Sequence, residues 1–125
     1  MIVDDDDDLR GELAFLLQEH GYRVLSAPNG SAAMGLLQSR IAGGELLPSL
    51  ILLDLSMPEM DGWQLRHALE QDPRLASLPL VVMTAAREQS PDVLNVRAVI
   101  AKPFPLRDLV AVLERCSAPA QSELR

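Results

Sequence analysis

Leu50-Ile51-Leu52-Leu53-Asp54 is the stretch from which the rest of this chain is read. Four aliphatic residues in unbroken series show no alternation, so neither face of the strand they form meets water. That is the pattern of a strand in a parallel sheet covered by helices on both sides. A carboxylate follows at once. The chain opens the same way: Met1-Ile2-Val3 runs straight into Asp4-Asp5-Asp6-Asp7-Asp8. In a parallel sheet both acid sets emerge at the carboxyl edge, where such sheets bind ligands. Carboxylates crowded at one edge repel one another unless a hard cation joins them. Magnesium is the natural candidate, because it takes oxygen ligands and keeps positions open for phosphate.

Outward from these two runs, the chain reads as β-α repeated five times. Ile2-Val3 supplies only a short first strand, about 10 Å even if Met1 joins it. Leu9, Leu13, Leu16 and Leu17 recur at helical spacing. The remaining acids of the opening run sit at that helix's N-terminus, where carboxylates cap free amides and meet the positive dipole end. His20-Gly21 closes the helix. Residues 22–27 read as a second strand, and Asn29 as the N-cap of a helix through Ala32, Ala33, Leu36 and Leu37, broken by Ala42-Gly43-Gly44. Trp63, Leu65 and Leu69 mark a third helix, ending before Asp72-Pro73. Leu80-Val81-Val82-Met83 is a buried strand that delivers Thr84. Ser90-Pro91-Asp92 opens a short helix through Val93 and Leu94. Val99-Ile100-Ala101 is the last strand and delivers Lys102-Pro103. An amphipathic helix over residues 106–113 ends near Cys116, and residues 117–125 form a polar tail. Short connections and right-handed crossovers make this one parallel sheet with helices on both faces. The expected organisation is one domain over residues 1–116 followed by the tail.

Composition narrows the function classes. A chain of 125 residues with 48% hydrophobic content buries one core, and 3% aromatic content makes that core aliphatic. A formal charge of -7 offers no basic stripe for nucleic acid. No apolar stretch reaches the length of a membrane span, and the first residues lack the basic and long apolar regions of a signal peptide. The expected location is cytoplasmic. Cys116 is the single cysteine, so an internal disulfide and a cysteine-rich metal site are both excluded.

Four strand ends therefore carry chemistry: Asp4-Asp5, Asp54, Thr84 and Lys102. An acid pair holds a cation. A carboxylate with a free oxygen is a nucleophile toward phosphorus. A hydroxyl and an ammonium bind the remaining phosphoryl oxygens, and transfer then runs on positioning and charge neutralisation.

At these residues the chain resembles the receiver domain of two-component response regulators. The matching motifs are Val3-Asp4-Asp5-Asp6, Leu52-Leu53-Asp54-Leu55-Ser56-Met57-Pro58-Glu59-Met60-Asp61-Gly62, Val82-Met83-Thr84-Ala85 and Lys102-Pro103-Phe104. They span nearly the whole chain, from Ile2 to about Cys116, and their order at four successive strand ends makes the likeness specific. The resemblance implies a flavodoxin-like (βα)5 fold, a doubly wound parallel sheet with strand order 2-1-3-4-5. It implies that Asp54 accepts phosphoryl from a histidine kinase or histidine phosphotransfer protein. It implies magnesium held by Asp5 directly, by Asp4 through water, by Asp54 and by the backbone carbonyl of Ser56. It further implies Thr84 and Lys102 on the phosphoryl group and a cis Lys102-Pro103 bond. The activity implied is magnesium-dependent self-phosphorylation and autodephosphorylation, with no turnover of another substrate. The tail carries no effector domain, so the expected output is contact with a downstream protein, with neither nucleic acid nor membrane as partner.

Three positions depart from the family pattern. The aromatic residue usual three places before the lysine is Val99. Thr84 and Lys102 are only eighteen residues apart, which shortens the intervening segment by about one helical turn. Asn95-Val96 replaces the Gly-Ala pair common before the fifth strand.

Each residue also has a plainer role. Asp6, Asp7 and Asp8 suit a solvated helix cap, His20 and His67 suit exposed helix positions, and Trp63 suits packing. Two other functions stand beside the phospho-accepting receiver. A degenerate receiver would act only as a scaffold. A magnesium phosphatase of the haloacid dehalogenase type would also use a strand-end Asp, but that family wants a second Asp two residues later, where this chain has Ser56.

Overall fold

The computed structural model describes residues 1–54, 62–84, 97–102 and 104–123, with the side chains of all but residues 62, 63, 106 and 116–123. Five parallel strands form one sheet: β1 (Ile2–Val3), β2 (Ser26–Ala27), β3 (Ile51–Asp54), β4 (Leu80–Thr84) and β5 (Ala98–Ala101). Their order is β2-β1-β3-β4-β5. Four helices are described: α1 (Asp7–Glu19), α2 (Gly30–Ala42), α3 (Gly62–Glu70) and α4 (Leu106–Glu123). The flavodoxin-like doubly wound order is the expected one. The short helix expected near residues 90–94 lies outside the described residues, as do Ser56 with most of its loop and the Lys102-Pro103 bond.

The strand pleat explains the two-sided core. Successive side chains point to opposite faces. Val3, Ile51 and Leu53 therefore pack with Ala33 and Leu37 of α2 and Leu65 and Leu69 of α3. Ile2 and Leu52, one residue out of phase, pack with Leu13 and Leu17 of α1 and Leu109 and Leu113 of α4. Leu13, Leu37, Leu53 and Leu109 are fully buried. Each contributes about 2 kcal/mol by leaving water. An unbroken aliphatic β3 is the sequence form of a strand that belongs to both clusters.

The helix ends follow local chemistry. Asp6 is the N-cap of α1 and accepts from Leu9 N at 3.1 Å, while Asp7 and Asp8 occupy the first turn. Asn29 caps α2 by accepting from Ala32 N at 2.8 Å. The chain leaves α1 through Gly21 at φ 89°, and leaves the α2 cap through Gly44 at φ 69°, backbone that favours glycine at both.

Two element ends differ from the sequence expectation. Residues 22–25 are not strand; β2 is Ser26–Ala27 alone. Tyr22 N donates to Leu17 O at 3.0 Å, so this stretch closes α1 instead. Ile2 stands opposite Ser26 and Leu52. The last helix does not end near Cys116 but runs to Glu123, so residues 117–123 of the expected polar tail are helical. Ala118, Ala120 and Gln121 favour helix, whereas Pro119 removes a backbone donor and crowds the carbonyl four residues before it.

Where β1 runs out, a groove of about 460 Å³ opens at the amino edge of the sheet, between Tyr22, Arg23 and Val24 on one side and Pro48 and Ser49 on the other. Continuing the register backwards, a residue ahead of Met1 would fall between Val24 and Leu50, and the next between Arg23 and Ser49. A free amine at Met1 would donate to Leu50 O at 2.8 Å, and burial would lower its pKa from 8.0 to about 6. The unfolded chain then binds a proton that the folded chain refuses. Stability is therefore reduced below about pH 6 and is recovered as pH rises from there toward 8. Fusing three extended apolar residues ahead of Met1 should raise the melting temperature and flatten this slope, as measured by thermal denaturation across that pH window. An unchanged melting temperature would show that the groove does not receive backbone.

Candidate functional site

The acid pocket lies where the strand order reverses. β1 pairs with β2 on one side and with β3 on the other, and the chain crosses to opposite faces of the sheet after each. Helices leave the sheet in opposite directions at such a point and leave a crevice beyond the carboxyl ends of the strands. Asp4 follows β1 and Asp54 ends β3, so adjacent strands deliver both carboxylates into it.

Burial distinguishes these acids from a solvated cluster. Asp4 is 0% exposed and Asp54 6%, whereas Asp5 is on the surface. Carboxylate oxygens of Asp4, Asp5 and Asp54 all lie within 4.8 Å of one another. Charged carboxylates taken out of water and set this close raise the energy of the native state unless cations answer them.

Lys102 supplies one answer. Its backbone N donates to Thr84 O at 2.8 Å, which carries the β4–β5 pairing one residue beyond β5 and aims the side chain back over the sheet edge. Nζ lies 3.2 Å from Asp4 Oδ2 and 3.5 Å from Asp54 Oδ2. Burial works against the charge on this ammonium, but the carboxylates of Asp54 and Asp4 outweigh it and hold its pKa above the usual lysine value. Three carboxylates against one ammonium leave net negative charge. The oxygen-only donor set suits a hard divalent cation. Thr84 ends β4 on the same edge, and it too is buried, at 7% exposure.

Asp4 is the best-tied of the acids. Its Oδ1 accepts from Asp6 N at 2.9 Å and its Oδ2 takes the Lys102 ammonium. Its backbone carbonyl accepts from Arg10 Nη1 at 2.7 Å. Arg10 also pairs with Asp7 through Nη2. Sequence reading had no role for Arg10. Its i,i+3 spacing from Asp7 was visible, but its bond to the Asp4 carbonyl depends on how the chain turns from β1 into α1.

The structure thus brings Asp4, Asp5, Asp54, Thr84 and Lys102 to one edge. Ser56 lies outside the described residues. So does residue 85 and the segment that follows it to residue 96. His67 is an exposed residue of α3, and His20 is exposed at the C-cap of α1, its Nδ1 3.0 Å from Leu16 O.

Comparison with known proteins bears on the same residues. Positions 1–114 match the family model for the response regulator receiver domain. The response regulator receiver protein CpdR of Brucella abortus is 38% identical over 117 residues, covering 92% of each chain. The phosphate regulon transcriptional regulatory protein PhoB of Pseudomonas aeruginosa is 35% identical, covering 98% of this chain but only 54% of its own length. The chain therefore spans about half of that regulator. The solved structure of the chemotaxis protein CheY4 of Vibrio cholerae superposes with a TM-score of 0.77 at 26% identity, covering 92% of this chain and 94% of that one. Among the described residues, no helix is long and apolar enough to cross a membrane. By the family match and by these relatives, the chain belongs to the response regulator receiver family of two-component signalling.

Proposed function

We propose that this chain accepts a phosphoryl group on Asp54 from a histidine kinase or histidine phosphotransfer protein and signals by contact with a downstream protein. The observation that carries this reading is the Asp54 carboxylate, buried at the switch-point edge beside Asp4 and facing the Lys102 ammonium. In the transfer, an Asp54 carboxylate oxygen forms a bond to phosphorus. The bond from phosphorus to the donor's imidazole nitrogen breaks, and its electron pair stays on that nitrogen. Lys102, already poised at this edge, offers its charge to the phosphoryl oxygens, and Thr84 its hydroxyl.

Asp4, Asp5, Asp54 and the carbonyl of Ser56 would hold magnesium. When bound, that ion neutralises negative charge shared by carboxylate and phosphoryl oxygens. Val99 stands opposite Val82 on β5, at the position where the receiver pattern usually has an aromatic residue. A β-branched side chain is stiff at χ1, so Val99 cannot copy the rotamer change of an aromatic residue.

Mass spectrometry after treatment with acetyl phosphate and magnesium should find one phosphoryl group, on Asp54, and none on the Asp54→Asn chain. Continuous release of phosphate would identify a phosphatase instead, and no labelling would leave a scaffold.

Magnesium at about 100 times its dissociation constant should add roughly 2.7 kcal/mol of stability. That corresponds to a melting-temperature rise on the order of 8 °C. Asp5→Ala should abolish the rise; an equal rise in both proteins would remove Asp5 from the ligand set.

Lys102→Ala should keep or tighten magnesium binding, because it removes a competing cation 3.2 Å from Asp4. It should nonetheless lose most of the acetyl phosphate labelling. Weakened magnesium binding by calorimetry would show that the lysine supports the metal rather than the phosphoryl group.

A further inference from the structure

We propose that Arg10 is a positioning residue for the acid pair: its guanidinium clamps the peptide between Asp4 and Asp5 to the first turn of α1. This rests on the reading of Asp4 and Asp5 as cation ligands. The Asp4 carboxylate is held by Asp6 N and by Lys102. The Asp5 carboxylate, among the described residues, has no hydrogen bond or ion pair that fixes it. Among the described residues, its place is set by the backbone. The carbonyl that Arg10 Nη1 grips at 2.7 Å belongs to the peptide linking Asp4 to Asp5, so its orientation decides where the Asp5 side chain leaves the chain.

The fork geometry of arginine makes the clamp two-ended. Nη1 takes the Asp4 carbonyl while Nη2 takes Asp7, so strand end and helix start are joined through one planar group. The Arg10 side chain is 19% exposed and Asp7 82%. The inner bond is the sheltered one, and the outer pair serves to aim it. Arg10 rises from α1, whose Leu13 and Leu17 are locked in the core, so the clamp has a rigid base.

A clamp and a mere counter-charge have opposite signatures. Coulomb repulsion from a guanidinium beside the acids weakens cation binding, so its removal would tighten binding. Loss of a clamp frees the 4–5 peptide, and binding weakens. Groups that orient metal ligands commonly change affinity by about tenfold or more when removed.

Calorimetric titration with magnesium of the wild-type, Arg10→Ala and Arg10→Lys chains separates the two. The clamp requires Arg10→Ala to bind about tenfold more weakly despite its more negative site. Arg10→Lys keeps the charge without the fork, and it should also bind more weakly. In metal-free protein, the backbone order parameters of Asp5 and Asp6 should fall in both variants. Unchanged or tighter binding by Arg10→Ala, or Arg10→Lys behaving as wild type, overturns the clamp while leaving the cation site standing. Should Arg10→Ala fail to fold, the Arg10→Lys comparison decides alone. A wild-type chain that binds no magnesium overturns the reading of the acids and the clamp with it.

Discussion

Two buried carboxylates meeting a single ammonium is the constraint around which this molecule is arranged. Asp4 and Asp54 come from adjacent strands, and Lys102 comes from beyond the far edge strand, 98 residues from Asp4. The sheet must be parallel and ordered as it is for these three groups to converge. A different strand order would leave each buried carboxylate to meet its desolvation cost alone. Lys102 holds part of the negative charge of both carboxylates in check.

The local economy of the β1–α1 turn depends on the same constraint. Five consecutive aspartates would be a poor opening for a folded chain if each were left to repel the next. They are divided among distinct tasks. Asp4 is tied on both carboxylate oxygens, Asp6 caps α1, and Asp7 pairs with Arg10. Asp7 and Asp8 also lie in the first helical turn, where the helix dipole favours negative charge. Asp5, exposed and without a partner among the described residues, keeps its carboxylate within 4.8 Å of those of Asp4 and Asp54.

Much of this was legible in the sequence because the decisive signals are local. The unbroken aliphatic run ending in Asp54 announced a doubly covered strand, and Asn29 and Gly21 marked helix ends through chemistry that acts over three or four residues. What escaped was tertiary. Residues 22–25 have strand-like composition, but Tyr22 bonds back to Leu17 of α1, and the strand begins only at Ser26. The continuation of α4 past Cys116 was hidden by a polar, proline-containing stretch. Arg10 resembled any surface arginine on a helix, since nothing in its sequence neighbourhood reveals the direction of the Asp4 carbonyl. The pairing of Lys102 with Asp4 was hidden for the same reason: sequence assigned them separate ligands, while folding sets them together.

The two ends of β1 face different surroundings, the groove beside Met1 at one and the acids at the other. The groove beside Met1 and the acids of Asp4 and Asp5 lie at opposite ends of a two-residue strand, about 7 Å long, yet they open in opposite directions. The amino-terminal pole is thus a natural point of attachment. A surface tether or a reporter dye joined there stands behind the sheet, out of the path of any protein approaching Asp54. Because the tethered end is the start of the strand that carries the acids, such a handle would also sense tension: a pull on Met1 would be felt first at the Ile2–Leu52 pairing and next at the carboxylates themselves.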